Sequence, residues 1–285
     1  MNKTILYRTI NTSRFILLLV PLWLACGAPK NYLSPEGPKF THNYVREPHI
    51  ASDTLKVITF NIKFARKIQQ AIEDLKTIPE LQAPDIILLQ EMDEAGTDSI
   101  AKSLKFNYIY YPATVHPQSD RNFGNAILSR WPIHNYKKIL LPYEPPLAKT
   151  KRIAVSSYIS HPKLKLLVYS VHTATAIVSA KRRLEQADSL LQSIAEEHDQ
   201  IIIGGDFNTV FSQNVKNLED IFSKNGFFRA SRDAGATVRW NFLHFTMDHL
   251  FVKGLDFIAA GTTETGASDH KPLWVWLKIL EDVGF

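Results

Sequence analysis

Six short motifs bring acidic, amide and histidine side chains to the ends of apolar runs along this chain. They are Val57-Ile58-Thr59-Phe60-Asn61, Asp85-Ile86-Ile87-Leu88-Leu89-Gln90-Glu91, Val168-Tyr169-Ser170-Val171-His172, Ile201-Ile202-Ile203-Gly204-Gly205-Asp206-Phe207-Asn208, Met247-Asp248-His249 and Ser268-Asp269-His270. Glu91 stands at the exit of a run that reads as a buried strand, where a carboxylate is costly unless it is paired or bound to a metal. A hard divalent ion such as Mg²⁺ takes few carboxylates, several waters and phosphate oxygens. Taken alone, Glu91 reads equally well as a solvated strand-end residue. Asp206 and Asn208 are two residues apart and so fall on one side of an extended chain. Their carboxylate can orient or deprotonate water while their amide donates to a phosphate oxygen. Gly204 and Gly205 permit an unusual turn and close approach of a ligand, although an Asx turn joining strand to helix would use the same residues.

Histidine beside a buried carboxylate gains a raised pKa and a fixed tautomer, which suits holding a phosphoryl oxygen or assisting proton transfer. Asp248 and His270 are candidates for that pair, and His172 ends a strand where it can face a cleft. His249 points away from Asp248 along a strand and reads as a packing or surface histidine. Singly, each histidine is more often structural than catalytic. Together the motifs sit where α/β folds build their sites, at strand ends, and point to metal-assisted hydrolysis.

The elements that must position these residues alternate between short β runs and amphipathic helices from Leu55 onward. Strands are expected at 56–62, 85–90, 107–111, 124–129, 152–159, 164–171, 201–203, 248–252, 255–260 and 272–277. Trp131-Pro132 should break one of them. Helical spacing appears in Ala65, Ile68, Ile72 and Leu75, ending before Pro79, and Thr97 is placed to cap a helix through Leu104. The clearest helix runs from an N-cap at Ser179 towards His198, and another spans 215–225 before Gly226. Strands outnumber helices and several join directly as hairpins. A mixed two-sheet core with outer helices is therefore favoured over a doubly wound parallel sheet.

The 285 residues, 45% hydrophobic and 11% aromatic, are enough for a sizeable core and exclude a disordered chain. Residues 1–25 have the parts of a secretory signal: cationic Lys3, Arg8 and Arg14, then an apolar Phe15–Ala25 stretch too short to span a bilayer comfortably. Without those three cations the formal charge of +5 falls to +2, too little to argue for a polyanionic partner. Cys26 is the sole cysteine, which excludes an internal disulfide. Its place after Leu24-Ala25 resembles the lipidation site of bacterial lipoproteins, implying a membrane anchor and an envelope location. Residues 26–54, rich in proline and polar residues, read as a flexible tether. The folded domain is expected over 55–278, followed by a 279–285 tail.

The order Asn61, Gln90-Glu91, His172, Gly205-Asp206-Phe207-Asn208, Asp248, Ser268-Asp269-His270 resembles the endonuclease/exonuclease/phosphatase superfamily. That group includes deoxyribonuclease I, abasic-site endonucleases, inositol-polyphosphate 5-phosphatases and bacterial sphingomyelinases. Phe123 to Arg130 is similar to its central strand, and Arg183 with Gln186 to its following helix. The resemblance implies an α/β fold, a four-layer sandwich of two mostly antiparallel mixed sheets flanked by helices. It also implies phosphodiester or phosphomonoester hydrolysis by in-line attack of an activated water. Glu91 would bind Mg²⁺, with Mn²⁺ as a substitute and Asn61 and Asp269 close enough to help. Asp206 would activate the water, and Asn208 would steady it or the phosphate. His270, oriented by Asp248, would contact the phosphate together with Asn125, and His172 matches a second histidine. Lys63 occupies a place where some members carry a second acidic ligand, which favours one ion over two. His172 has no evident acidic partner, and the stretch from Asn208 to Asp248 offers no obvious large insertion such as a membrane-binding hairpin. The substrate would be a nucleic acid, a phospholipid head group or a sugar phosphate, and the protein is expected to be monomeric. A non-catalytic protein that binds a phosphorylated ligand on the same fold is the alternative.

Overall fold

The computed structural model describes residues 30–280 apart from 48, 51, 118, 147 and 195–197. The signal-like segment, Cys26 and residues 281–285 lie outside the described residues. In chain order the first strands are β1 (Phe40–Asn43), β2 (Thr54–Asn61), β3 (Ile86–Met92), β4 (Asn107–His116), β5 (Arg121–Ser129), β6 (Ile133–Leu140), β7 (Ile153–His161) and β8 (Leu164–His172). They are followed by β9 (Ile201–Asp206), β10 (Phe228–Arg229), β11 (Val238–Trp240), β12 (Leu243–Phe245), β13 (Asp248–Lys253), β14 (Leu255–Thr262) and β15 (Leu273–Ile279). The helices are α1 (Ile68–Thr77), α2 (Glu94–Leu104), α3 (Ala180–Gln192) and α4 (Ser212–Lys224).

Two mixed sheets face each other, ordered β1-β4-β5-β3-β2-β15-β14 and β10-β13-β9-β8-β7-β6. Only the central pairs β2/β3 and β8/β9 are parallel among the described ladders. The continuous apolar runs have a simple cause: each central strand is buried on both faces. Ile86 and Leu88 enter the core between the sheets with Val57, Val168 and Ile202. Ile87 and Leu89 point the other way, under Ala71, Leu75 and Ile100 of α1 and α2. On the far side Tyr169, Ile203 and Phe251 are covered by Leu190, Leu218 and Phe222 of α3 and α4. The result is the four-layer arrangement expected, and the parallel pairs bring β2, β3, β8 and β9 to a common end.

Residues 26–54 are not simply a tether. Over its described part the segment adds β1 to the edge of the first sheet, pairing Phe40 with Tyr110. Further back, Tyr32 N donates to Ala113 O at 2.9 Å and Val115 N to Lys30 O at 2.8 Å. Lys138 Nζ gathers the carbonyls of Tyr32 and Gly37, each at 2.9 Å. Proline stops a helix, but an extended chain can still satisfy the open backbone edge of β4, and Phe40 and Tyr44 pack on the helix-side core. The C-terminal boundary moves slightly as well, since Ile279 still belongs to β15.

Local chemistry explains the other differences. The cap of α2 is Asp93, whose carboxylate accepts from Gly96 N at 2.7 Å, while Thr97 lies inside the helix and donates to Asp93 O. Ser179 caps α3 as expected. Strand β6 was not anticipated because it is a lysine-bearing edge, half exposed and without clean alternation. Among the described residues no helix is long and apolar enough to cross a membrane.

Candidate active site

Strands β2, β3, β8 and β9 end together, and the acidic and histidine motifs occupy those ends. In the second sheet, Asp206 lies in register with His172 of β8 on one side and Asp248 of β13 on the other. Asn61 and Glu91 approach from the first sheet. Gly205 makes this crowding possible, because a Cβ built there would meet the Val171 carbonyl oxygen at 1.9 Å. Glu91 is turned into the cleft by a break in the β3–β5 register and by a left-handed backbone of φ 58°. Asn208, at φ 52°, adopts the same region. Left-handed non-glycine residues cost about 1–3 kcal/mol each and collect at functional sites.

The centre of the cluster is the buried Asp206 carboxylate. Its Oδ2 accepts from Asn61 Nδ2 at 3.0 Å, and its Oδ1 from Asn208 N at 2.8 Å. His172 Nε2 lies 3.6 Å and His270 Nε2 3.9 Å from Oδ2. His172 therefore does have an acidic neighbour, one that sequence order could not reveal. Burial pushes the Asp206 carboxyl well above the usual carboxylate range, against the pull of the charged His270. His270 Nδ1 is held by Asp248 Oδ2 at 2.8 Å. Burial disfavours its charge, but Asp248 and Asp206 outweigh that cost and raise its pKa to about 10. His172 is pushed well below the ordinary value by burial, with Arg152 and His270 adding to the effect, so it is neutral. The site thus pairs a poised carboxylate with one cationic and one neutral imidazole.

Two groupings contain possible cation ligands. Ligand atoms of Asp206, Asp248 and His270 lie within 4.8 Å of one another. Within that group His270 Nδ1 is already hydrogen-bonded to Asp248 Oδ2. The second grouping is Glu91 with Asn61, whose amide bridges Glu91 Oε1 at 3.3 Å and Asp206. Asn61 Oδ1 is buried and has no hydrogen-bond partner among the described residues. An orphaned amide oxygen beside a carboxylate fits a hard, oxygen-seeking cation. Asp269 Oδ2 meets Lys63 Nζ at 2.7 Å, and Ser268 Oγ links Asp269 Oδ1 to Asn61 O. Burial alone would raise the Asp269 carboxyl, but Lys63 and His270 bring it below the ordinary value.

Asn125 spends its side-chain amide within the fold. Its Nδ2 donates to Ile153 O at 2.9 Å and Ser170 O at 3.2 Å, bracing the first sheet against the second. Gln90 makes a similar stitch to Ser170 Oγ at 3.1 Å. Burying two polar strands' ends between the sheets demands such partners. Asn208 Nδ2 likewise donates to Thr173 O at 3.2 Å, and its backbone N–H fixes Asp206. His249 is buried away from the cleft against Thr209 Oγ1 at 2.7 Å, the packing role expected of it. Arg183 and Gln186 pin the loop after β8, through Val178 O and Ala174 N.

One cation beside the cluster is set apart by its surroundings rather than by any sequence motif. Arg152, just before β7, is buried with Nε and Nη1 lacking any hydrogen-bond partner among the described residues. Its guanidinium lies 5.0 Å over the Phe123 ring, which in turn packs at a tilt against His172. Burial lowers its pKa, and Glu91 and Asp206 oppose that shift. A buried, unsatisfied guanidinium facing two carboxylates is expensive unless a ligand anion completes it. Asn31 fixes the approach to it, donating to Lys149 O and accepting from Lys151 N, each at 2.9 Å.

A two-sheet α/β sandwich with a carboxylate–histidine cluster between the strand ends defines a hydrolase-type fold. The chain belongs to the Endonuclease/Exonuclease/phosphatase family, whose model matches residues 58–270. Among named relatives, a UPF0294 protein of Yersinia pestis is 29% identical over 136 residues, 46% of this chain and 50% of the relative. The match thus spans half the length of that protein. A UPF0294 protein of Erwinia tasmaniensis is 26% identical over 244 residues, 80% of this chain and 82% of the relative. Among solved structures, a family member from Leptotrichia buccalis superposes with a TM-score of 0.65 at 20% identity, covering 79% of this chain and 100% of the other. The mannosyl-6-phosphatase Bt3783 of Bacteroides thetaiotaomicron gives 0.60 at 17% identity, covering 78% and 99%. These structures share the fold.

Proposed function

We propose that the chain is a divalent-cation-dependent phosphoester hydrolase in which water attacks phosphorus in line. The observation that carries this reading is the buried Asp206 carboxylate set between neutral His172, Asn61 and cationic His270. Asp206 takes the proton of the attacking water. His270, held charged by Asp248, faces the charge that develops on the phosphoryl oxygens, and Arg152 supplies a second cation for them. Glu91 and Asn61 Oδ1 would hold Mg²⁺, or Mn²⁺ in its place. A bound divalent cation would neutralise phosphate charge and polarise the ester. The ion pair between Lys63 and Asp269 supports one cation rather than two.

The substrate class is tested by an activity panel on the purified protein. It should include a generic phosphodiester, DNA, RNA, sphingomyelin and sugar monophosphates, each with Mg²⁺ and with EDTA. Asp206→Asn should slow hydrolysis roughly 10²–10⁴-fold, the usual worth of a positioned base, while circular dichroism stays unchanged. Full activity in that variant would remove Asp206 from the mechanism. We also propose an envelope location through acylated Cys26, which mass spectrometry of the mature N-terminus would show; an unmodified Cys26 excludes it.

A further inference from the structure

The sheet itself does not hold the Glu91 side chain. The ladders of β3 pass from Gln90, paired with Asn61, to Met92, paired with Gly124, and Glu91 falls between them. Two N–H donors hold its carboxylate instead. Asn61 Nδ2 donates to Oε1 at 3.3 Å, and the backbone N of Phe64 donates to Oε2 at 3.1 Å. The first donor sits on a buried strand end, whereas the second sits in the short loop between β2 and α1. That loop has an unusual backbone. Phe64 and Ala65 both occupy the left-handed region, at φ 55° and 50°, where a residue with a side chain rarely rests. Two such residues in succession persist only where their surroundings hold them.

Arg121, at the start of β5, does the holding. Its Nη2 donates to Phe64 O at 2.7 Å, and its Nη1 meets Asp93 Oδ2 at 2.7 Å. The other oxygen of Asp93 caps α2 by accepting from Gly96 N. The guanidinium fork therefore ties the loop to a rigid helix start, a span that suits arginine better than the point charge of lysine. His116, in register with Arg121 across β4 and β5, sets its ring 4.5 Å from that of Phe64, and the Phe123 ring lies 5.7 Å away. Phe64 is thus gripped by its carbonyl and its ring, with its N–H aimed at Glu91. We propose that Arg121 is a positioning residue for the cation site: by locking Phe64 in its left-handed conformation, it fixes the Glu91 carboxylate before a cation arrives. Each carboxylate oxygen accepts one hydrogen bond and keeps a lone pair for the ion. Without Arg121, Phe64 and Ala65 relax towards ordinary backbone angles and the N–H leaves Oε2. The ordering of Glu91 then falls to the binding step and weakens it. The proposal rests on the reading of Glu91 and Asn61 as the ligands of the cation.

Asn122 separates this role from general support of the fold. It follows Arg121 on β5, but its side chain bonds to Glu94 of α2 and to Tyr32, each at 2.9 Å, and not to the 62–65 loop. The test is Mn²⁺ binding to the EDTA-treated full chain without substrate, read from the electron paramagnetic resonance signal of the free ion. R121M should bind Mn²⁺ about tenfold more weakly than the parent, and N122A should bind it equally well. In the metal-free proteins, deuterium exchange at the Phe64 N–H should be several-fold faster in R121M alone. Should the unpaired Asp93 carboxylate unfold R121M, D93N/R121M replaces it, since asparagine still offers an acceptor to Gly96 N. Parental Mn²⁺ affinity in the Arg121 variant, unchanged exchange at Phe64, or an equal loss of affinity in N122A overturns the proposal and leaves the cation reading standing. A parent chain that binds no Mn²⁺ ends both.

Discussion

Arg152 separates what the site needs from what the fold needs. A buried guanidinium with unmet donors is a cost to stability, whereas the same group beside Glu91 and Asp206 is a ready seat for a phosphate. Arg152→Met should therefore lower kcat/KM while leaving the folded state as stable or more so, by about 1–4 kcal/mol. A variant that unfolds more easily and keeps its activity would make Arg152 a structural residue. His249 gives a second residue-scale prediction. Burial and the charge of Arg229 hold its pKa down at about 3, against 6.5 for the free side chain. As pH falls from 6.5 towards 3 the unfolded chain takes up a proton that the folded chain refuses, so stability is lost across that window. His249→Gln removes this titration, and its denaturation midpoint should fall less between pH 7 and pH 4 than that of the parent. Identical slopes would show that His249 does not carry the effect.

At the scale of elements, the central strands and the residues at their ends were legible, and the edges were not. Ile86-Ile87-Leu88-Leu89 and Ile201-Ile202-Ile203 announce burial on both faces, so Glu91 and Asp206 could be placed at strand exits before any coordinates. The inter-sheet bonds of Asn125 were not legible, because a buried amide reads the same in sequence whether it meets a ligand or a neighbouring sheet's carbonyls. Arg152 and the acidic neighbour of His172 depend on the approach of separate strands, which spacing along the chain does not encode. β1 was hidden in a proline-rich stretch whose described part caps an edge, packs on the helix-side core and holds a loop. That role is testable. A chain that begins at residue 55 should melt several degrees below one that begins at residue 27, since it loses β1 and the packing of Phe40 and Tyr44. It should also hydrolyse more slowly, because Asn31 no longer fixes the 149–151 backbone ahead of Arg152. Equal melting and equal rates would restore the tether reading.

For the whole molecule, the fold sets chemistry at the seam between two sheets. The first sheet supplies Asn61 and Glu91, the second supplies His172, Asp206 and Asp248, and His270 arrives on the loop before β15. Inter-sheet bonds from Gln90 and Asn125 to the Ser170 region keep the two halves in register. The central claim is that this seam hydrolyses phosphate esters with a cation held at Glu91 and Asn61. Its most direct test is the rate of phosphodiester and phosphomonoester hydrolysis during Mg²⁺ titration of EDTA-treated protein, for the parent and for Glu91→Gln. The account predicts no turnover without metal, saturable recovery in the parent, and recovery in Glu91→Gln only at much higher Mg²⁺. Hydrolysis that is unaffected by EDTA, or identical Mg²⁺ dependence in the two proteins, would contradict it.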